Sequence, residues 1–251
     1  MSKVNYADRL TGQSVSLHVE VHGTGFPVLL IAPGGMKSSI PLWKNAPYNP
    51  ISYWSENGFQ VVAMDQRNAG QSSGPVNAGH GWETFLEDQI AVLDELGIDK
   101  FIAAGMCIGG SYVMQLLLRQ PGRAIGGVLF QTIGLDQNRD AFYQMYDGWA
   151  SALAPTRADV SPADWAGLRS NMYDSEQFLF CVGERDLSAI RAPVLVLQGN
   201  DLYHPASASR MVASGVPNGT LIDAWKSGPD IETAQHQTLK FLRQITTGVK
   251  L

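Results

Sequence analysis

Short, continuous apolar runs spread along the chain most constrain what this sequence can fold into. They are Phe26 to Ala32, Phe59 to Met64, Phe101 to Ala104, Ala124 to Phe130, Pro193 to Gln198 and Thr220 to Trp225. Unbroken runs of this length fit strands buried on both faces. Between them lie stretches of helical spacing. Trp82, Phe85, Leu86, Ile90, Leu93 and Leu96 form one such stripe, with Gly97 placed to end the helix. Ile231, Ala234, Leu239, Phe241, Leu242 and Ile245 form another, over about 230–245. Only Val15 to Val21 alternates polar with apolar, as a half-exposed antiparallel strand does. Strands alternating with helices predict an α/β fold: a mostly parallel twisted sheet with helices on both faces. Ligands in such sheets bind beyond the carboxyl ends of the strands.

Charge and composition exclude several classes. The net charge is −5 and no Lys/Arg cluster exists, which argues against nucleic acid or an anionic membrane surface as a partner. Met1 to Leu10 is polar and mixed in charge, unlike a signal peptide, and apolar runs such as Val28 to Ala32 are too short to span a bilayer. Cys107 and Cys181 lie in unrelated contexts without metal-ligand spacing, so free thiols and a cytoplasmic location are expected. No His/Cys/carboxylate cluster has ligand spacing, and no Gly-x-Gly-x-x-Gly follows a strand; neither a metal nor an organic cofactor is expected. The expected partner is a small-molecule substrate, and nothing here sets an oligomeric state.

The stretch Lys100 to Tyr112 carries the chemistry. A short buried strand runs into Gly105-Met-Cys-Ile-Gly109, and a helix follows, stopping at Pro121. An isolated Cys is a common small core residue. Between strand and helix, flanked by Gly105, Gly109 and Gly110, Cys107 reads instead as a nucleophile at a strained corner. The Ile108 N–H and the helix N-terminus beneath it would lower the thiol pKa and hold an oxyanion.

From about Leu135 to Ile190 the strand-like runs stop. Helical stretches rich in aromatics take over, among them Phe142, Tyr143, Tyr146, Trp149, Trp165 and Tyr173. Asp159-Val-Ser-Pro-Ala-Asp164 suits a helix start. The expected organisation is a core of residues 1–134 and 191–251 with a helical lid inserted at 135–190. Aromatics in that lid would suit an apolar substrate, although they also serve as packing.

Together these motifs resemble the α/β-hydrolase superfamily over nearly the whole chain. The matches are the hairpin start, Pro33-Gly34-Gly35 in the oxyanion loop, and Asp65-Gln-Arg-Asn-Ala-Gly-Gln-Ser72. To these are added the Cys107 elbow, the lid, and Pro193 to Gly199 followed by Asn200-Asp201. A cysteine elbow is similar to that of dienelactone hydrolases. The resemblance implies Cys107 as nucleophile, Ile108 with Gly35 or Met36 as the oxyanion hole, and Asp201 as triad acid. Asn200-Asp201 equally suits a plain turn.

The superfamily's histidine would fall in the loop after the last strand. That loop, Ala224-Trp-Lys-Ser-Gly-Pro-Asp230, has none, and His236 comes later, within the final helix and expected on its surface. The candidate proton carriers are, in order, His204, three residues past Asp201; His80, in Gly79-His-Gly81; and Lys226, nearest the vacant slot. Three functions stay open on this reading. The first is hydrolysis of an activated ester, enol-lactone or thioester through a Cys107 acyl-enzyme. The second is non-hydrolytic chemistry on the same fold (lyase, acyltransferase or cofactor-free oxygenase). The third is ligand binding on a degenerate scaffold.

Overall fold

The alternation of side chains along the buried strands decides the layering. The computed structural model describes residues 2–249. In β3 (Phe26–Ile31) every residue is buried; Leu29 and Ile31 face one apolar cluster, Val28 and Leu30 the other. In β5 (Phe101–Cys107), Phe101 and Ala103 join the first cluster, while Ile102, Ala104 and Met106 join the second. A strand that is apolar on both faces must be covered on both, and helices do so here.

The remaining strands are β1 (Ser2–Ala7), β2 (Ser14–His22), β4 (Phe59–Met64), β6 (Ala124–Thr132), β7 (Val194–Leu197) and β8 (Gly219–Ile222). They form one sheet in the order β1-β2-β4-β3-β5-β6-β7-β8. The pairs β1–β2 and β2–β4 are antiparallel; all other neighbours are parallel. Strand β1 is the element that apolar pattern does not reveal. Its residues are mostly polar, and it forms by edge pairing to β2, with Val4 turned inward.

The first cluster receives Phe85, Leu86, Val92 and Leu93 of α2 (Trp82–Glu95). It also takes Val113, Leu116 and Leu117 of α3 (Ile108–Arg119), and Val212 of α6 (Ala206–Gly215). The opposite face is covered by Trp54 of α1 (Pro50–Ser55) and by Ala234, Leu239 and Leu242 of α7 (Pro229–Thr246). Each fully buried aliphatic side chain here contributes roughly 1.5–3 kcal/mol relative to exposure. Gly97, at φ 66°, follows α2 as the spacing predicts.

Between β6 and β7 the chain carries α4 (Arg139–Leu153), α5 (Pro162–Tyr173) and two short 3-10 turns. Ser161 starts α5 through a capping box with Asp164, and Pro162 fits the first turn because its missing N–H is not needed there. No helix among the described residues is long and apolar enough to cross a membrane, and none of their His, Cys, Asp and Glu side chains form a group able to hold a metal ion.

Candidate active site

Cys107 ends β5 and precedes α3 with φ 61° and ψ −119°. A non-glycine residue there costs roughly 1–3 kcal/mol and persists only where its surroundings enforce it. Two close approaches do so. A Cβ on Gly105 would lie 2.5 Å from the backbone of Gly109, and one on Gly109 would lie 2.6 Å from the Ile31 carbonyl oxygen. Strand and helix therefore meet backbone to backbone, and the corner cannot relax outward. The Cys107 carbonyl accepts from the Ile133 N–H at 3.1 Å, tying the corner to the end of β6.

The loop after β7 brings an acid and a base to this corner. His204 Nδ1 lies 2.7 and 2.9 Å from the two carboxylate oxygens of Asp201. With Nδ1–H donated to Asp201, the other ring nitrogen is the free one. His204 Nε2 is buried without a hydrogen-bond partner, and besides Asp201 the group acting on the ring is the Cys107 thiol, in the same cavity. Burial pushes the thiol pKa up, but the His204 imidazole and the Gly34 and Ile108 amides more than offset it, leaving the thiol below its ordinary value. Burial likewise pushes His204 down, while Cys107 and Asp201 raise it further, so the imidazole is held above its usual value. Burial pushes Asp201 up, but the His204 imidazole together with the His204 and Tyr203 amides outweighs it and holds the carboxyl low. The opposite shifts of thiol and imidazole mean that each group favours the other's charged form, thiolate on Cys107 and imidazolium on His204, relative to the isolated side chains.

Beside this pair lies a cavity of about 270 Å³, lined mainly by Ile133, Phe142, Met145, Tyr173 and Tyr203 around Cys107 and His204. A larger hollow of about 630 Å³, at Glu184, Arg185 and Asp186, contains neither.

The family model for the alpha/beta hydrolase fold matches residues 27–164, more than half of the chain. The chain belongs to the α/β-hydrolase family. Among its relatives, 2-hydroxymuconate semialdehyde hydrolase of Pseudomonas putida is 27% identical over 237 residues, covering 84% of this chain and 82% of that one. Among solved structures, the meta-cleavage product hydrolase of Pseudomonas fluorescens aligns with TM-score 0.69 at 18% identity, over 97% of this chain and 98% of that one. The enol-lactonase of Burkholderia xenovorans aligns with TM-score 0.66 at 20% identity, over 97% and 99%. At such identities the two structures share the fold.

This α/β hydrolase departs from the sequence expectation at the oxyanion loop. The loop amide that reaches the thiol is that of Gly34, one residue before the expected Gly35 or Met36. Gly34 has φ 118°, which turns its peptide toward the elbow, whereas Met36 is fully buried in the core. Gly35 still lines the cavity, beneath Met145. The Ile108 amide also acts on the thiol, lowering its pKa.

The three candidate proton carriers separate in space. His204 lines the Cys107 cavity; His80 and Lys226 do not. His80 Nε2 lies 3.2 Å from Asp8 Oδ1, within a buried cluster that also holds Tyr6, Arg67 and Asp88. Burial there pushes its pKa below the usual value. Its loop is drawn to that cluster because Asn171 of α5 donates to the His80 carbonyl at 2.8 Å. Lys226 bonds Asn200 Oδ1 at 2.6 Å and sits 5.6 Å over the Trp225 ring, with burial lowering its pKa. It thus touches the turn that carries Asp201 rather than the thiol. His236 is exposed on α7, and His18 and His22 flank Glu20 on β2. Met145 lines the cavity with no signal in the sequence, since methionine is shared with ordinary packing, whereas Gly34 and Tyr173 show there only as members of the Pro33-Gly-Gly35 loop and of the lid aromatics.

Proposed function

We propose that this α/β hydrolase cleaves an activated ester, enol-lactone or thioester of a largely apolar small molecule through an acyl-enzyme on Cys107. The observation carrying this reading is the buried, unpartnered Nε2 of His204, whose Nδ1 is held by Asp201, on a ring that lines the same cavity as the Cys107 thiol. The Cys107 sulfur attacks the substrate carbonyl carbon, its proton passing to His204 Nε2. The Gly34 and Ile108 amides donate to the oxyanion. Collapse of the tetrahedral species breaks the bond to the leaving oxygen or sulfur, which takes the proton from His204. Water, deprotonated by His204, then attacks the thioester; the acid product leaves and the proton returns to the thiol–imidazole pair. Asp201 orients the imidazole and stabilises its cation.

A histidine on the catalytic side weakens the ground for the non-hydrolytic and ligand-binding readings, which rested on a missing base. The enol-lactonase and the 2-hydroxymuconate semialdehyde hydrolase among its similar proteins support hydrolysis as the class. The α4–α5 segment, with Phe142, Met145 and Tyr173 over the thiol, acts in this reading as the lid.

Incubation with p-nitrophenyl pentanoate, quenched in acid, is expected to show by mass spectrometry a pentanoyl adduct on Cys107, absent from Cys107→Ala. Steady turnover by Cys107→Ala at the wild-type rate would refute the acyl-enzyme.

A further inference from the structure

Outside Cys107 and His204, the cavity above Cys107 carries two side-chain hydroxyls, those of Tyr173 and the half-buried Tyr203, on an otherwise apolar wall. Tyr173, the last residue of α5, is fully buried and lines the cavity. Its hydroxyl has no hydrogen-bond partner. Burial and the nearby Cys107 both push its pKa up, so the group is a neutral donor lying in the field of the thiol. The ring cannot swing away to find a partner. It stacks on Phe142 at 5.6 Å between centroids, meets Phe180 edge-on at 5.3 Å, and contacts Tyr146 at 6.3 Å. Its own carbonyl is gripped by Arg139. A buried hydroxyl left unpaired costs roughly 1–3 kcal/mol, and a phenylalanine would fill the same space without that cost. A rigidly held, unpaired donor at a binding cavity is the expected signature of a group that a ligand satisfies.

The rest of the wall narrows the ligand. Ile133, Phe142 and Met145 offer no polar hydrogen-bonding group, the Tyr203 hydroxyl belongs to a half-buried residue, and no Lys, Arg, Asp or Glu side chain lines the cavity. A carboxylate on the substrate would find no cation beyond His204, which is already engaged with Cys107 and Asp201, so its burial there is unfavourable.

We propose that Tyr173 is a specificity-determining residue that donates to a neutral acceptor, a carbonyl or ether oxygen, on the otherwise apolar acyl group of the substrate. The assignment rests on the acyl-transfer reading of Cys107 and goes further, in naming the acyl group as uncharged and bearing one acceptor.

The test compares p-nitrophenyl 4-oxopentanoate and 5-oxohexanoate with the pentanoate and hexanoate of equal length, and adds the p-nitrophenyl monoester of succinic acid. The readout is the ratio of kcat/KM for the better keto ester to that for its alkyl counterpart. Tyr173→Phe is expected to lower this ratio about fivefold relative to wild type, the value of one neutral hydrogen bond. Comparing the ratio between proteins cancels the intrinsic reactivity of the esters. Tyr143→Phe, which removes a hydroxyl bonded to Asp174 at 2.6 Å outside the cavity, is expected to keep the wild-type ratio. The succinate monoester is expected to be the poorest of the five. An unchanged ratio in Tyr173→Phe, or a succinate monoester outpacing the keto esters, overturns the assignment while turnover of the alkyl esters keeps the Cys107 reading intact. Failure of wild type to turn over any of the five sinks both.

Discussion

His204 and Asp201 are three residues apart yet form a two-oxygen contact, with Nδ1 at 2.7 and 2.9 Å from the carboxylate. The same tight turn closes through backbone bonds in both directions, Asp201 N–H to the His204 carbonyl and His204 N–H to that of Asp201. Carboxylate and imidazole are therefore held as one local unit in the loop after β7, with the imidazole lining the Cys107 cavity, while the loop after β8 holds no histidine. That slot is taken by Trp225, whose indole N–H donates to the Gln198 carbonyl at 2.8 Å, and by Lys226.

The acid in this unit is unusually open: the Asp201 side chain is 48% exposed, whereas that of His204 is 12%. Water can take over part of the orienting bond. Asp201→Asn is therefore expected to lower kcat/KM by about 10- to 100-fold, well short of the roughly 10⁴ seen when a buried triad acid is lost. His204→Gln is expected to lose more than Asp201→Asn. Steady-state kinetics on the two variants with one alkyl ester checks the order, and the reverse order would place the base elsewhere.

Thiol titration reads the pairing directly. Iodoacetamide alkylation of Cys107, followed by peptide mass spectrometry across pH, is expected to show a midpoint below the ordinary thiol value of about 8.5. Thiolate accumulates as pH rises through that midpoint. His204→Gln removes the largest of the influences that lower the thiol pKa and leaves burial pushing up, so the midpoint is expected to rise. A midpoint that stays put in the variant excludes the imidazole as the thiol's partner.

The corner itself is sensitive to one methyl group. Gly109→Ala puts a Cβ 2.6 Å from the Ile31 carbonyl oxygen, a backbone atom that cannot step aside alone. The expected cost is about 1–3 kcal/mol in urea unfolding, with slower Cys107 acylation because α3 shifts away from the elbow. Gly122→Ala, where no atom lies within 4 Å of the added carbon, is the control for the loss of a glycine as such.

Arg67 secures the far side of the sheet. It bonds Asp8 at 2.5 Å and Asp88 at 2.6 and 3.1 Å, and all three side chains are 2% exposed. Arg67→Ala leaves two buried carboxylates without their cation, and about 3–5 kcal/mol of stability is expected to be lost at pH 7. In the native protein burial pushes Asp8 up, but its Arg67 and Thr11 bonds hold it well below the usual carboxylate range. Its contribution is thus fully present above the unfolded value of about 3.9 and is lost as pH falls toward the folded one. The gap between wild type and variant is expected to shrink from pH 7 to pH 4 as the orphaned carboxylates take up protons. A gap that widens toward pH 4 would mean the carboxylates are not the source of the loss.

Much of this protein was legible before any coordinates. The apolar runs at Phe26, Phe59, Phe101 and Ala124 mark strands because burial on both faces leaves no place for a polar side chain, and that reading is local. The elbow was equally local: strand, glycine, cysteine, glycine and helix occur in one unbroken stretch, and small residues there have few other reasons to cluster. Strand β1 was not local, because a polar edge strand owes its existence to the partner it pairs with. Nor was the choice among His204, His80 and Lys226. All three occupy loops on plausible ends of elements, and sequence separation says nothing about which loop crosses the thiol. That depended on where β7 sits beside β6, on the pull of the buried Asp8–Arg67–Asp88 cluster on His80, and on the Gln198 carbonyl that fixes Trp225 and so directs Lys226 to Asn200. Residue type declares what chemistry a side chain is capable of; only packing over long chain separations decides which of those side chains meet.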